Sequence, residues 1–211
     1  MKPDDGRGDE NGLSSAQIST LRREEVERRV LEIIARAMDR PVEEVKPTST
    51  MEGDLGAQSL DYLDIAFSLE REFRIQFPRA EFLQRAGDHL GEDKLVRGEV
   101  ITDLGLKLLA KGMPELDPAR LKPGLRVTEL RQMFLAASFV RVVIQLLESK
   151  ARMDRKCPDC GSEMTESNTL PEFNCPQCGN SVALPSGDEI LTEGLLSIAQ
   201  ELAPAAAGDS E

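Results

Sequence analysis

The sequence predicts a mainly α-helical fold, in which a helical bundle with an enlarged middle segment is followed by a small β ribbon around a metal. Two segments in the first third repeat apolar residues at three- and four-residue steps, as amphipathic helices do. All four cysteines fall in one late window as two C-x2-C pairs, which is typical of a metal-bound ribbon. At about 150 residues per domain, the length allows one large domain or two small ones.

The composition is that of an acidic, folded protein. The 211 residues include 26 Lys and Arg and 38 Asp and Glu, for a net charge of −12. This balance disfavours nucleic acid as a partner, because phosphate binding needs clustered positive charge. Hydrophobic residues make up 40% of the chain, which favours a folded core and argues against wholesale disorder. Aromatic residues make up only 4%, so the core is expected to be aliphatic.

The sequence predicts neither a membrane span nor export. The most apolar segment, Met133–Leu147, is too short to span a bilayer and contains Arg141 and Gln145. The first residues lack the apolar stretch of a signal peptide, so we expect a cytoplasmic protein.

Two helices are expected before residue 80. The first runs from about Thr20 to Arg40, where Ser19 or Thr20 is a suitable cap and Pro41 enforces the end. The second runs from Ser59 to Phe73. Its apolar side combines two adjoining stripes: Leu60, Leu63 and Phe67 in one, and Ile65, Leu69 and Phe73 in the other.

The later chain is expected to hold shorter elements. The pattern predicts helices at Ile101–Lys111, Thr128–Ser149 and Asp188–Leu202, and a helical turn at Asp117–Leu121. His89, between Gly and Asp residues, is expected in a surface loop. The predicted domains are a disordered tail at 1–18, a helical domain at 19–150 with an insertion at about 79–126, a ribbon at 155–185, and a short helix with a flexible tail at 186–211.

Ser59 lies where a glycine-containing loop meets a helix. Gly56 permits backbone angles that other residues avoid, and it lets another molecule approach. The first N–H groups of a helix have no intrahelical partners, and with the helix dipole they favour a phosphate ester on the serine hydroxyl. The alternative is that Ser59 is only an N-cap. The following helix carries four acids against Arg71, a net charge of −3; the acids are Asp61, Asp64, Glu70 and Glu72.

The run DLGAQSLDYLDIAFSLEREFRIQFP, residues 54–78, resembles the acyl carrier proteins, as does the preceding segment VLEIIARAMDRPVEEVKPTSTM. The resemblance implies an acyl-carrier-like four-helix bundle in which Ser59 carries 4′-phosphopantetheine. Four further positions fill the family pattern: Asp54, Leu55, Gly56 and Leu60. Gln58 departs from it, since the family usually has Asp before the serine. That Asp commonly meets a basic residue of the phosphopantetheinyl transferase, so one charge-assisted contact is weakened.

The resemblance also implies a carrier and not an enzyme. Acyl groups would be held as thioesters on the arm for fatty acid, lipid or polyketide biosynthesis. The expected partners are the phosphopantetheinyl transferase and acyl-transfer or synthase enzymes. Four acids are expected to form the docking site for these enzymes: Asp54, Asp61, Asp64 and Glu70. Six apolar residues are expected to line the interior of the bundle, where they would shield the acyl chain or form an ordinary core: Val30, Ile34, Leu63, Ile65, Phe67 and Leu69.

The four cysteines predict a structural zinc site. Cys157 and Cys160 are separated from Cys175 and Cys178 by fourteen residues, and a glycine follows each pair. Four thiolates suit tetrahedral zinc and leave no open position for catalysis. Paired disulfides, a redox dithiol and a rubredoxin-like iron centre are the rival interpretations. The residues from Met164 to Asn174 are expected to form hairpin strand and turn.

Two other functions remain open from the residues alone. A carrier-like fold that has lost its arm would serve as a zinc-ribbon adaptor for protein interactions. A zinc-ribbon nucleic-acid module fused to a helical bundle is the other, although the ribbon lacks dense Lys and Arg.

Overall fold

A computed structural model describes residues 23–79 and 82–202. They form a mainly helical molecule with a small antiparallel sheet, as the sequence predicts. The helices are α1 (Arg23–Ala37), α2 (Ser59–Phe73), α3 (Phe82–Leu90), α4 (Glu92–Leu95), α5 (Asp103–Gly112), α6 (Val127–Arg131), α7 (Ala136–Arg152) and α8 (Gly187–Leu202), with 3-10 turns at Val42–Glu44 and Pro118–Arg120. The strands are β1 (Val96–Arg97), β2 (Val100–Ile101), β3 (Thr165–Glu166), β4 (Glu172–Asn174) and β5 (Ser181–Ala183).

Some predictions concern residues beyond these ranges. The expected tails at 1–18 and from Ala203 to Glu211, and the cap at Ser19 or Thr20, lie outside the described residues. Across 23–79 and 82–202, no helix is both long and apolar enough to span a bilayer.

Helices α1, α2 and α7 share one apolar core, since each places an aliphatic stripe toward the other two. Its fully buried side chains include Val30, Ile34, Ile65, Leu69, Phe73 and Val143. Arg29 of α1 also forms an ion pair with Glu72 of α2. Helix α2 ends at Phe73, and the following Arg74 takes a left-handed backbone conformation (φ 51°).

The predicted single helix over Thr128–Ser149 is wrong. The structure has α6 and α7 instead, with a break at residues 132–135. At the break the N–H of Met51 donates to the carbonyl of Phe134 (2.9 Å), and Leu135 pairs with Thr50 in a short β-bridge. Residues before and after the break pack in different apolar clusters. Met133 packs with the middle segment, and the apolar side of α7 packs with α1 and α2.

The middle segment contributes to two smaller apolar clusters. Helices α3 and α5 contribute to both, β2 and α6 to one, and α4 and α8 to the other. The predicted helix at Ile101–Lys111 is α5, although Ile101 belongs to β2 and the Thr102 hydroxyl caps α5 by accepting from Gly105 N (3.2 Å). His89 is exposed, as predicted, but it lies in α3 and not in a loop.

Helix α8 returns from the ribbon to pack on the middle segment. Its Leu195 and Ala199 are buried with Ala86, Leu95 and Leu108 of α3, α4 and α5. The last helix therefore completes a core that the middle segment cannot fill alone. The domain boundaries given above stay a prediction.

A buried lysine joins the ribbon to the bundle. The Nζ of Lys150 in α7 donates to the carbonyl of Phe73 (3.3 Å) and to that of Arg74 (3.1 Å), at the end of α2. It also forms an ion pair with Glu166 of β3. The Lys150 side chain is 3% exposed and that of Glu166 is 7% exposed, so three elements meet at one desolvated charge pair.

A second junction joins α8 to the segment after α2. The N–H of Gly187 donates to the carbonyl of Gln76 (2.8 Å), and the N–H of Arg79 donates to the Asp188 carboxylate (3.1 Å). A Cβ on Gly187 would lie 2.6 Å from the backbone nitrogen of Pro78 and 2.7 Å from Gln76 O. Only glycine allows this approach, because both neighbouring atoms belong to the backbone.

Gly187→Ala is therefore expected to lower the free energy of unfolding by about 1–3 kcal/mol through overpacking. Gly194→Ala, in the middle of the same helix, is the matched control, because its Cβ would meet nothing within 4 Å. The control is expected to raise stability by about 0.5–1 kcal/mol, since alanine favours a helix. Urea denaturation of the two variants checks both signs, and a stable Gly187→Ala protein would contradict the close contact.

Candidate attachment site and metal centre

The four cysteines converge at one point of the ribbon. Their sulfurs lie within 4.8 Å of one another, and the pairs Cys157–Cys178 and Cys160–Cys175 are each 3.5 Å apart. All four are free thiols. Zinc bound at about 2.3 Å by four sulfurs in a tetrahedron holds them about 3.8 Å apart, so the cluster fits such an ion.

Each cysteine pair sits in a tight turn. Gly161 and Gly179 have positive φ angles of 74° and 77°, and their N–H groups donate to the carbonyls of Cys157 (2.9 Å) and Cys175 (3.0 Å). Hydrogen bonds from the Ser162 side chain and backbone lower the pKa of Cys160 to about 6. For Cys178 the bond from the Asn180 backbone is outweighed by the contacts with the other three sulfurs, which raise its pKa to about 12.

The ribbon around the cysteines is a three-stranded antiparallel sheet in the order β3-β4-β5. Strands β3 and β4 pair across the turn between them, as expected for Met164–Asn174. The ribbon buries few apolar side chains, namely Met164, Phe173 and Leu184 beside two of the cysteines. So small a core would leave much of the folding free energy to a metal, if the cysteines bind one.

The loop before α2 is held by Thr50 and Asp54. The Asp54 carboxylate accepts from the Thr50 N–H (2.8 Å) and hydroxyl (2.9 Å), and these bonds hold the pKa of Asp54 below its ordinary value. Leu55 is buried and anchors the loop, while Gly56 turns it with a φ of 75°. The loop therefore delivers Ser59 in a fixed position.

Ser59 is the first residue of α2 and is exposed. Gln58 occupies the N-cap position, and the Asp61 carboxylate accepts from its N–H (2.7 Å). The alternative interpretation of Ser59 as the N-cap is therefore wrong. A group esterified to this serine would stand at the positive end of the helix dipole.

Comparison with known proteins identifies this part of the chain. The family described as "Phosphopantetheine attachment site" matches residues 28–87, which hold most of α1, the loop, α2 and the first part of α3. The segment is similar to the acyl carrier protein AcpXL of Rhizobium meliloti, with 38% identity over 60 residues, and to AcpXL of Mesorhizobium japonicum, with 37%. Residues 28–87 therefore form a domain of the phosphopantetheine attachment-site family that is similar to acyl carrier proteins.

The match covers part of each protein. It includes 28% of this chain, 63% of the Rhizobium meliloti relative and 64% of the Mesorhizobium japonicum relative, slightly less than two thirds of either. No solved structure matches the chain.

The structure places the four predicted docking acids of the carrier domain in different surroundings. Asp54 and Asp61 accept the backbone hydrogen bonds described above, and Asp64 is exposed. Glu70 accepts from the N–H of Phe77 (2.9 Å) and pairs with Arg79 (2.6 Å). Three of the four acids therefore also stabilise the domain itself.

The expected interior wall is only partly correct. Val30, Ile34, Ile65 and Leu69 are fully buried. Leu63 and Phe67 are 48% and 58% exposed, and the neighbouring Leu60 is 78% exposed. At 100° per residue these three side chains point away from Ile65 and Leu69, a separation that a helical wheel of the sequence already shows.

Tyr62 contributes to the interior side of the carrier domain instead. Its ring stacks on Phe139 of α7 at 6.1 Å between centroids, and Phe77 stacks on the same ring at 5.7 Å. Burial, with a smaller contribution from Glu52, raises the pKa of Tyr62 to about 12. The apolar pattern of the sequence does not single out Tyr62, because it follows Asp61 and lies outside the two apolar stripes of α2.

Proposed function

We propose that Ser59 is esterified with 4′-phosphopantetheine and that the protein holds acyl intermediates as thioesters for fatty acid, lipid or polyketide biosynthesis. The observation that carries this proposal is an exposed serine at the first position of a helix, inside the segment that matches the attachment-site family. The adaptor without an arm is not favoured, because that family is defined by the attachment of the arm.

The carrier has no chemistry of its own in this proposal. The arm ends in a thiol that keeps the acyl carbon activated as a thioester, and the tether raises the acyl concentration at each partner's active site. The cytoplasm, where coenzyme A supplies the arm, is the proposed location.

The proposed partners are a phosphopantetheinyl transferase and acyl-transfer or synthase enzymes. Asp54, Asp61 and Asp64 surround the serine end of α2 and would attract basic groups there, an effect that salt screens. Glu70 is proposed to act together with Arg79, its partner in the structure. With Gln58 in place of the Asp that the family usually has, the transferase would make one charge-assisted contact fewer.

The experiment is the loading of the full chain. We expect incubation with coenzyme A, magnesium and a broad-specificity transferase to add the mass of one phosphopantetheine, and fragmentation to place it on Ser59. Loading at another residue, or no loading by several transferases, would contradict the proposal and favour the adaptor.

The ribbon is proposed to hold one structural Zn²⁺ through its four cysteines, with every coordination position filled by sulfur. Cys157→Ser is expected to reduce bound zinc from about one ion per chain to near zero, because a three-thiolate site in so small a ribbon loses its folding energy. Metal analysis by mass spectrometry measures this. Thr165→Ser, on the exposed side of β3, is the control that should keep its zinc. Iron with a coloured spectrum would contradict the choice of metal.

A further inference from the structure

Two of the four cysteines of the ribbon are open to solvent. Cys160 and Cys178 are exposed, whereas Cys157 and Cys175 are only 2% and 3% exposed. A glycine follows each exposed cysteine, and within the described residues a Cβ on either glycine would meet nothing within 4 Å. This side of both turns therefore stays open, and small solutes reach two of the four sulfurs.

Each exposed sulfur lies beside a buried sulfur of the other turn. The Sγ atoms of Cys160 and Cys175 are 3.5 Å apart, and so are those of Cys178 and Cys157. A disulfide holds its sulfurs about 2.05 Å apart, so each pair needs a shift of only about 1.5 Å to form one. An accessible cysteine next to a second cysteine is the arrangement that oxidation of thiols to disulfides requires.

The charge of the ribbon favours an uncharged oxidant. Residues 157–185 contain four Asp and Glu and no Lys, Arg or His, and Asp159 and Glu163 among them are exposed. A divalent metal compensates only two of the four thiolate charges. Arg155 and Lys156, directly before this range, offset only part of the total. An anionic oxidant such as glutathione disulfide therefore meets like charge, and a small neutral hydroperoxide does not.

From this we propose that small uncharged hydroperoxides oxidise the cysteine centre, attacking at the exposed sulfurs, which the buried sulfurs then resolve to disulfides. The exposed thiolate attacks a peroxide oxygen and the O–O bond breaks, which leaves a sulfenic acid and, with hydrogen peroxide and one proton, water. The buried thiolate then attacks that sulfur, and the S–O bond breaks to give the disulfide and, with a second proton, a second water. Each pair thus gives two electrons to one peroxide. The inference rests on the proposed metal site, whose bound sulfurs are thiolates, and a disulfide no longer holds the metal.

Pairing across the two turns has a consequence for the rest of the fold. Disulfides Cys160–Cys175 and Cys157–Cys178 would join the same two turns that a metal joins, so β3 would keep its place and Glu166 would stay beside Lys150. Oxidation would then release the metal without undoing the contact with the end of α2. Removal of the metal from the reduced chain provides no such replacement.

The test treats the full, zinc-loaded chain with hydrogen peroxide and needs no substitution, so a folding defect cannot intervene. A chromogenic chelator follows the released zinc, and mass spectrometry after proteolysis without reductant maps the disulfides. We expect the chain to release its zinc and to contain Cys160–Cys175 and Cys157–Cys178. Brief oxidation in the presence of dimedone, which traps sulfenic acids, should label the two exposed cysteines and not the buried ones. Hydrogen exchange at the end of α2 should stay as in the zinc-loaded chain after oxidation, and rise after chelation.

The matched control is the same chain oxidised in urea. Without the fold, the shorter loops should favour Cys157–Cys160 and Cys175–Cys178, because closing a loop costs more entropy as it lengthens. Those pairs in the native chain, dimedone on the buried cysteines, or zinc retained in excess peroxide would overturn the inference. Faster oxidation by glutathione disulfide than by hydrogen peroxide would overturn the choice of oxidant. Zinc content is measured first, so a chain without zinc contradicts the metal site, while its disulfide map still tests the pairing.

Discussion

Ser59→Ala is expected to abolish attachment of the arm completely. The transferase must form a phosphodiester with a hydroxyl, and alanine has none to offer. Ser59 is exposed and does not cap the helix, so the substitution should leave the fold intact. Intact mass after incubation with coenzyme A and magnesium measures the result: a shift of one phosphopantetheine for the wild type and none for the variant.

The control is Ser68→Ala, on the same helix and outside the loop. It should gain the same mass as the wild type. A variant at Ser59 that still gained mass would show that another hydroxyl is the acceptor. If neither variant were loaded, the cause would be disruption of α2 and not the loss of the Ser59 hydroxyl. Circular dichroism of the two variants separates these cases, because α2 packs on α1 and α7.

The two long helices and the cysteine ribbon could be predicted because their signals are local. In α1 the period of three and four residues is complete, and Pro41 ends the pattern soon after Ala37. For the ribbon, cysteine spacing alone brings four sulfurs together. The loop before Ser59 could be recognised for the same reason, since its turn depends on neighbouring residues.

The remaining features depend on contacts between distant residues. The break between α6 and α7 occurs where residues 132–135 pair with the loop at Thr50, and the sequence around Met133 carries no breaker. The short elements of the middle segment draw part of their core from α8, about one hundred residues later. The pairing of Glu72 with Arg29 also joins two different helices, across 43 residues, which is why a count of acids along α2 misjudges the charge that the helix presents.

Glu166→Gln is expected to lower the free energy of unfolding by about 3–5 kcal/mol, because it leaves the ammonium of Lys150 buried without its counter-ion. Burial already lowers the pKa of Lys150, and Glu166 opposes that shift. The reciprocal change, Lys150→Met, is also expected to destabilise the protein, since it removes the ammonium that pairs with Glu166. It also removes the donor to the carbonyls of Phe73 and Arg74. Urea denaturation of the zinc-loaded protein measures both.

The double variant, Lys150→Met with Glu166→Leu, tests whether the destabilisation comes from an unpaired buried charge. Replacing both members of a buried pair by apolar side chains is often close to neutral, so the double variant is expected to be more stable than either single variant. The pair Lys111–Glu201 is the matched control, because its side chains are 46% and 61% exposed and its loss should cost less than about 1 kcal/mol. Additive losses at positions 150 and 166 would contradict a coupled buried pair. If the coupling is found, the folded ribbon stabilises the helical bundle, since Glu166 reaches its position only in a folded β3. Chelation of the metal should then increase hydrogen exchange at the end of α2, the end of the helix farthest from Ser59.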